Sequence, residues 1–497
     1  MNRFNLILCS LALIPLLSTS ISSQPDDNQA SVEHKNEKEV DQKQLFNMIR
    51  KGVVTITVTA HVILDKCVNA KLWFGTGFIV DSEKGLIMTN AHIAGEMAVC
   101  TYEVKFGNGK KAEAKLEYID PCYDFAVLSV NKNDIPQYCS ALKFADAAPS
   151  INMSVYAMGN SVRSEFSTYQ GYIFDTESIL WLKAIAEQSF QFSGLSAPGA
   201  SGSPVFNSKG EVIGILYGGK FVSGAALPNA YFKPVVDSIK QGKPFHRHFY
   251  GFIPNYTSLQ DAFKAGKIPE NAIEEYEKTF PNSNDKILYI SKKLDAFGAD
   301  KLQLETGDII WQVDGEIIGS NLIRIDEIAR EKAGKPIIFT IYRNGKKKEV
   351  EVPTYELNSL SKVKLLSFAG TTFFETTNEI KLAFGKGSKG VYIIDSEGGS
   401  PFAAVSSPID GNYNDGAFKI ISIDGKKVDS IEDVMGIIPS LFKKNVFEVK
   451  FEKLGGDLQP YSVITKHSPE FSEAALYSLN QDSKTWDVKI IKNPSQD

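Results

Sequence analysis

The sequence predicts a multidomain chain: an all-β N-terminal half, barrel or sandwich, followed by two copies of an α+β domain. Three observations carry this. From Val53 to Val130, short β-branched or alternating segments are separated by turn residues. Beyond about residue 245 the texture changes to strands mixed with helix-like segments. Within that second half, an Asp-Gly turn and the elements around it recur, Asp314 being echoed by Asp424 110 positions on. With 497 residues, 43% apolar and 23% charged, the chain is also too long for a single core.

Taken in order, the chain opens with Met1-Asn2-Arg3, an apolar run from Phe4 to Leu17 and small residues from Ser18 to Ser23, which together read as a secretory signal peptide over 1–23. The run falls short of the ~20 residues a membrane span needs. Residues 24–44 are polar and charged with almost nothing to bury, so a flexible leader is expected. Strands are expected at Val53–Leu64, Leu72–Val80, Leu86–Thr89, Thr101–Phe106, Ala112–Tyr118 and Phe125–Val130, with turns at Gly107-Asn108-Gly109 and Asn207-Ser208-Lys209-Gly210. In the second half each Asp-Gly turn precedes a helix-like segment, Ser320–Lys332 and Ser430–Leu441, and then a strand, Ile337–Arg343 and Val446–Lys453. The last residues, 468–497, either add a strand to the second repeat or stay unstructured.

Net charge is −5 with both signs interspersed, so the basic footprint of a nucleic-acid binder is missing and proteins are the expected partners. Cys9 is lost with the signal peptide. The remaining Cys67, Cys100, Cys122 and Cys139 permit two disulfides in an exported protein, in three pairings, or four free thiols. Their spacing is not that of a zinc site, and no metal or other cofactor is expected. His246-Arg247-His248 reads as a solvated linker.

Three residues stand in contexts that suit covalent catalysis. His92 follows the strand-like Leu86-Ile87-Met88-Thr89-Asn90-Ala91, at a strand end where an imidazole can serve a cleft as a base. Asp124 heads the apolar run Phe125-Ala126-Val127-Leu128, where a carboxylate can accept an imidazole N–H and fix its tautomer. Asp120 competes for that role, but Asp120-Pro121 reads as a turn opener. Ser201 lies in Pro198-Gly199-Ala200-Ser201-Gly202-Ser203-Pro204, where glycines permit a tight turn whose N–H groups, from Gly199, Ala200 and Ser201, can converge on an oxyanion. The order His, Asp, Ser excludes an α/β-hydrolase, whose nucleophile precedes its histidine.

On Thr89-Asn90-Ala91-His92, Asp124-Phe125-Ala126-Val127-Leu128 and Gly199-Ala200-Ser201-Gly202, the chain resembles the HtrA/Deg serine proteases. The resemblance implies a chymotrypsin-like double β-barrel at 45–242 followed by two PDZ-like α+β domains at 246–355 and 360–467, with His92 as base, Asp124 as orienting acid and Ser201 as nucleophile. It departs from the family at Ala200 and Ser203, where Asn and Gly are usual. The same segment also resembles the secreted glutamyl endopeptidases, but Leu216 stands where those tend to carry a histidine. Leu195, six residues before the nucleophile, implies a pocket for small or medium apolar side chains, and Ile215, Leu216 and Tyr217 are expected to pair with substrate backbone.

A PDZ domain adds a peptide as a strand and clamps its carboxylate with loop N–H groups. Tyr250-Gly251-Phe252-Ile253 resembles that loop, with Phe368-Ala369-Gly370-Thr371 as the counterpart in the second copy. The resemblance implies an exported, periplasmic or secreted endopeptidase acting on unfolded proteins and peptide C-termini, assembled as trimers or multiples of them near Phe46. The alternative is a proteolytically weak chaperone on the same scaffold.

Overall fold

The computed structural model describes residues 42–63, 72–95, 98–161, 164–180, 186–194, 198–220, 223–281, 285–294, 301–357, 364–376, 380, 388–396, 400–402, 417–454, 459–466, 471, 473–480 and 485–491. The N-terminal half forms two closed antiparallel barrels of six strands. The first contains β1 (Val53–Ile63), β2 (Leu72–Asp81), β3 (Leu86–Thr89), β4 (Ala98–Lys105), β5 (Lys111–Ile119) and β6 (Ala126–Val130), in the order β1-β2-β3-β6-β5-β4. The second contains β7 (Ser154–Ser161), β8 (Ser164–Leu180), β9 (Glu187–Ser193), β10 (Pro204–Phe206), β11 (Val212–Lys220) and β12 (Ser223–Pro228), in the order β10-β11-β12-β9-β8-β7.

Period-two alternation explains where the cores lie. Val54, Ile56 and Val58 of β1 pack with Ile79, Ile87, Val104, Leu116 and Leu128 in the first barrel. Val155, Ala157, Phe190, Val205, Ile213 and Leu216 pack together in the second. The opposite faces of several of these strands are buried too: Phe78, Met88, Phe125, Met158, Phe206, Ile215 and Tyr217 share a third core. Strands buried on both faces read as near-continuous apolar runs, which is why alternation was weak at β2, β3 and β11.

Helix α1 (Gln42–Arg50) precedes the first barrel, burying Leu45 and Ile49 and setting Phe46 edge-on to Tyr156 with ring centroids 5.5 Å apart. The expected flexible leader therefore stops short of residue 44. Helix α2 (Ala91–Ala94) is a single turn after β3, and α3 (Lys233–Lys240) follows β12.

The next portion carries β13 (Arg247–Phe249), β14 (Phe252–Ser258), α4 (Leu259–Lys264), α5 (Glu270–Thr279), β15 (Lys286–Lys293), β16 (Ile309–Val313), β17 (Glu316–Ile317), α6 (Leu322–Lys332), β18 (Ile337–Arg343), β19 (Lys346–Val352) and β20 (Tyr355–Leu357). Its sheet runs β14-β15-β16-β18-β19, with β17 on β16, while β13 and β20 pair separately. The final portion carries β21 (Lys364–Phe368), β22 (Thr371–Glu375), β23 (Val391–Ser396), β24 (Ala417–Ile423), β25 (Lys426–Lys427), α7 (Ile431–Leu441), β26 (Val446–Leu454), β27 (Tyr461–Lys466), β28 (Ala474–Leu479) and β29 (Trp486–Ile491). Its sheet follows the order β27-β26-β24-β23-β22-β21-β28-β29, with β25 on β24, so the chain's last hairpin extends that sheet.

The two Asp-Gly turns adopt the same conformation. Asp314 and Gly315 have φ of 50° and 83°, Asp424 and Gly425 have 52° and 74°, and both pairs make the tight hairpin turns β16–β17 and β24–β25. Helices α6 and α7 start at side-chain caps, Asn321 on Arg324 N–H and Ser430 on Asp433 N–H. Among the described residues, no helix is long and apolar enough to cross a membrane.

Of the two readings of the cysteines, disulfides or thiols, Cys100, Cys122 and Cys139 follow the second, since none of them forms a disulfide among the described residues; Cys67 lies outside those residues. Cys100 packs inside the first barrel and Cys122 in the shared core, where each behaves as a small apolar side chain.

Candidate active site

Two segments of the first barrel deliver His92 and Asp124. Strand β3 is followed by Asn90, a buried residue whose side-chain amide donates to the Asp124 carbonyl at 2.8 Å, so the histidine's turn and the aspartate's turn are tied together. The Asp124 carboxylate, 4% exposed, then grips the histidine twice: Oδ1 accepts the His92 backbone N–H at 2.9 Å and Oδ2 meets the ring Nδ1 at 2.7 Å. The imidazole itself is 47% exposed. With the proton on Nδ1, Nε2 is left as an acceptor, the state a general base needs. Gly95 ends α2 in a left-handed conformation, φ 75°, and a Cβ there would lie 2.6 Å from the Cys100 sulfur.

The second barrel delivers the Ser201 loop, and Thr76 of β2 holds it. Thr76 donates its N–H to the Ser201 carbonyl at 2.9 Å and its hydroxyl to the Gly199 carbonyl at 2.9 Å, and its hydroxyl accepts the Asn160 N–H at 2.8 Å. The Ala200 carbonyl accepts both the N–H and the hydroxyl of Ser203, at 3.0 and 2.5 Å. Three successive carbonyls are thus turned onto fixed donors. Among the described residues, no acceptor stands against the N–H of Gly199 or of Ser201, which leaves both for an oxyanion. Gly199 and Gly202 sit at φ 92° and 87°, and a Cβ on Gly202 would lie 1.9 Å from the Thr76 carbonyl oxygen.

Ser203, one of the two departures from the family motif, is therefore part of the loop's scaffold. Its fit depends on Gly159, where a Cβ would lie 1.8 Å from the Ser203 hydroxyl. Ala200, the other departure, is buried in the second barrel's core.

Of the residues expected to meet substrate, Leu195 lies outside the described residues. Ile215 and Leu216 do not offer a free edge: Ile215 pairs with Pro204 and Leu227, while Leu216 donates to Ser203 and accepts from Gly202. Both strands flanking β11 already use these groups. Tyr217 is different, because its carbonyl accepts the Ser201 hydroxyl at 3.3 Å and so lies beside the nucleophile. Its ring is buried, with the phenol donating to Ser189 at 2.6 Å; desolvation, with Glu187 nearby, pushes its ionisation well above the usual range and keeps it neutral.

The two loops expected to hold a peptide carboxylate differ from each other. Tyr250, Gly251, Phe252 and Ile253 are all buried, with Tyr250 and Phe252 ring centroids 4.6 Å apart and Phe252 edge-on to Phe339 at 5.4 Å. Phe368-Ala369-Gly370-Thr371 is instead a tight hairpin turn, Ala369 and Gly370 having φ 54° and 69° and Phe368 pairing with Thr371. The proposed counterpart is thus a ladder turn that satisfies its own backbone.

The solvated-linker expectation for His246-Arg247-His248 also fails. Arg247 is 2% exposed and bridges two buried carboxylates, Asp120 Oδ2 at 2.5 Å and Asp326 Oδ2 at 2.9 Å. Asp120 is the turn opener the Asp-Pro pair suggested, accepting the N–H groups of Cys122 and Tyr123 at 2.8 and 3.0 Å. Sequence reasoning missed Thr76, Asn160, Ser203 and Arg247; Gly75-Thr76-Gly77, a hydroxyl between glycines facing the nucleophile loop, was a usable signal for the first. No cluster of metal-ligating side chains occurs among the described residues.

Comparison with known proteins agrees with this geometry. A family model for the trypsin-like peptidase domain matches residues 75–215, and one for the PDZ domain matches residues 282–354. The chain is 26% identical over 426 residues to the pro-apoptotic serine protease NMA111 of Pyricularia oryzae, covering 83% of this chain and 40% of that protein. It is 26% identical over 493 residues to NMA111 of Debaryomyces hansenii, covering 96% and 48%. The chain therefore spans less than half the length of these curated relatives. Among solved structures, the HtrA-type protease AlgW with tripeptide is 21% identical, with 64% of this chain and 98% of that chain covered at a TM-score of 0.47. The chain carries a trypsin-like peptidase domain and a PDZ domain, and it is homologous to the NMA111 serine proteases.

Proposed function

We propose that this protein is an endopeptidase of HtrA/Deg type in which Ser201 attacks the scissile carbonyl, His92 takes the hydroxyl proton and returns it to the leaving amine, and Asp124 holds the imidazolium. The N–H groups of Gly199 and Ser201 receive the oxyanion, and water then releases the acyl-enzyme. The observation that carries this reading is the double contact of the Asp124 carboxylate with His92, through the backbone N–H at 2.9 Å and the ring at 2.7 Å, in a turn tied to the base's own strand. The Ser201 hydroxyl donates to the Tyr217 carbonyl at 3.3 Å, so its hydrogen turns from that carbonyl toward the base before proton transfer.

A fluorophosphonate probe tests this directly. Wild type is labelled and Ser201→Ala is not; a folded wild type that resists labelling in the presence of unfolded protein or peptides ending in apolar residues sinks the proteolytic reading in favour of a chaperone. By the subtilisin precedent, loss of the nucleophile lowers kcat by roughly six orders of magnitude.

The substrates in this reading are unfolded chains with apolar C-termini, recruited by the PDZ domain and by a second PDZ-like domain in the final portion, whose turn, helix and strand repeat those of the first. Export fits the apolar N-terminal run; a mature protein beginning near residue 24 is the expected result of N-terminal sequencing. Trimeric assembly is part of the same proposal and is read by light scattering.

A further inference from the structure

Arg247 lies between the two matched segments, outside 75–215 and outside 282–354. It is nonetheless buried, and the groups around it converge on the turn that carries Asp124. Its Nε and Nη2 donate to Asp120 Oδ2 at 3.2 and 2.5 Å, its Nη1 donates to Asp326 Oδ2 of α6 at 2.9 Å, and Nη2 also reaches the Tyr231 carbonyl at 3.2 Å. The guanidinium lies 4.8 Å from the centre of the Tyr123 ring, which also packs against Tyr231 at 4.2 Å. Tyr123 donates its hydroxyl to Asp326 at 2.9 Å.

The consequence is a turn gripped at both ends. Asp120 Oδ1 takes the N–H groups of Cys122 and Tyr123, Oδ2 takes the Tyr118 hydroxyl at 2.9 Å and the guanidinium, and the Asp120 N–H closes the turn on the Phe125 carbonyl at 3.1 Å. The next residue after Tyr123 is Asp124. Resting on the triad reading given above, we propose that Arg247 is a positioning residue for the catalytic acid: through Asp120 and Tyr123 it sets the turn from which Asp124 holds His92, and Asp326 of the PDZ portion anchors it there.

Burial opposes the charge on Arg247, but the carboxylates of Asp120 and Asp326 outweigh burial and hold it cationic above its usual range. Tyr118, Tyr123, Tyr231 and Tyr250, which face this cluster with Cys122, are pushed up by burial and remain neutral. Lysine keeps the charge but cannot make the fork to two carboxylates at once, so it separates charge from geometry.

The experiment follows the time course of fluorophosphonate labelling of full-length wild type, Arg247→Lys, Arg247→Met and Asp326→Asn over roughly pH 5–9, where a histidine base titrates. In folded Arg247→Lys the labelling rate at the plateau falls about tenfold, because a small displacement of the acid misorients the base. The acid limb also moves to lower pH, since a displaced Asp124 supports the imidazolium less. KM for a peptide substrate stays unchanged, and Asp326→Asn shows the same two changes to a smaller degree. If Arg247→Met does not fold, Arg247→Lys and Asp326→Asn decide.

Labelling of the variants at the wild-type rate with an unmoved acid limb overturns the proposal. So does a smaller labelled fraction with unchanged rate and limb, which is what mere destabilisation produces. A folded wild type that is never labelled overturns the triad reading and this one with it, whereas labelled wild type with indistinguishable variants removes only this one.

Discussion

At the scale of single residues, the proposed chemistry rests on side chains that hold the nucleophile loop in place. Thr76 makes three bonds to that loop and its neighbour. Thr76→Val keeps the shape but leaves the Gly199 carbonyl without its donor and the Asn160 N–H without its acceptor. We expect a loss of about 2–3 kcal/mol of stability in urea unfolding, with kcat reduced by about 10²-fold as the oxyanion donors lose their alignment. A second expectation concerns thiols. Burial pushes the Cys100 thiol up to about 12, and Cys139 is raised for the same reason, so at pH 8 neither carries appreciable thiolate in the native protein. Iodoacetamide at that pH alkylates them slowly until urea is added; rapid native labelling of Cys100 contradicts the burial.

What was legible in the sequence divides along this same line. His92, Asp124 and Ser201 were singled out because each stands at a strand end or between glycines, and local chain grammar records that; the structure sets the Asp124 carboxylate on His92. The choice of Asp124 over Asp120 was legible for the same reason, since a proline after an aspartate marks a turn. Thr76 and Arg247 were not found because their partners lie 123 and 127 positions away, at Gly199 and Asp120, and no local pattern encodes a contact made only by closure of the fold. The hydrophilic look of His246-Arg247-His248 was positively misleading, because a buried arginine is told from a solvated one only by its carboxylates.

At the scale of elements, strand positions followed the alternation of apolar residues closely, and the Asp-Gly turns located the β16–β17 and β24–β25 hairpins. The last hairpin, β28–β29, was undecided because a short polar-flanked strand at a sheet edge has a weak pattern. The N-terminus of α6 is tied to the second barrel by Gln188 of β9, whose side-chain oxygen accepts the N–H groups of Leu322 and Ile323 at 2.9 and 3.4 Å. Tyr256 adds a bond from its hydroxyl to the Ser320 carbonyl at 3.0 Å. Gln188→Ala should therefore loosen the first turn of α6 without altering its body: hydrogen exchange at Leu322 and Ile323 should quicken about fivefold, corresponding to about 1 kcal/mol. Unchanged exchange there would mean that α6 is held by its apolar face alone.

At the scale of the whole molecule, one apolar core runs without a break from Phe78, Phe125 and Phe206 of the barrels to Phe252, Ile325 and Phe339 of the PDZ portion. The barrels are consequently a poor unit to isolate. A fragment ending at residue 242 keeps every strand of both barrels but loses the guanidinium that satisfies Asp120. Breaking a buried pair from one side costs about 3–5 kcal/mol, so the fragment should melt about 10 °C below the full chain, as read by circular dichroism. Equal melting temperatures would show that the shared core contributes little.

The bridge from Asp120 through Arg247 to Asp326 also constrains how the chain can change over generations. Its three charged residues come from three segments that ordinary domain shuffling would separate, and the arginine cannot be replaced alone without stranding two carboxylates in the interior. Loss of the arginine should be seen in descendants only together with neutral residues at both aspartate positions, and a peptidase domain that has parted from its PDZ domain should have lost the aspartate of its Asp-Pro turn as well. The history of the two domains is thereby written in the two salt bridges of one arginine.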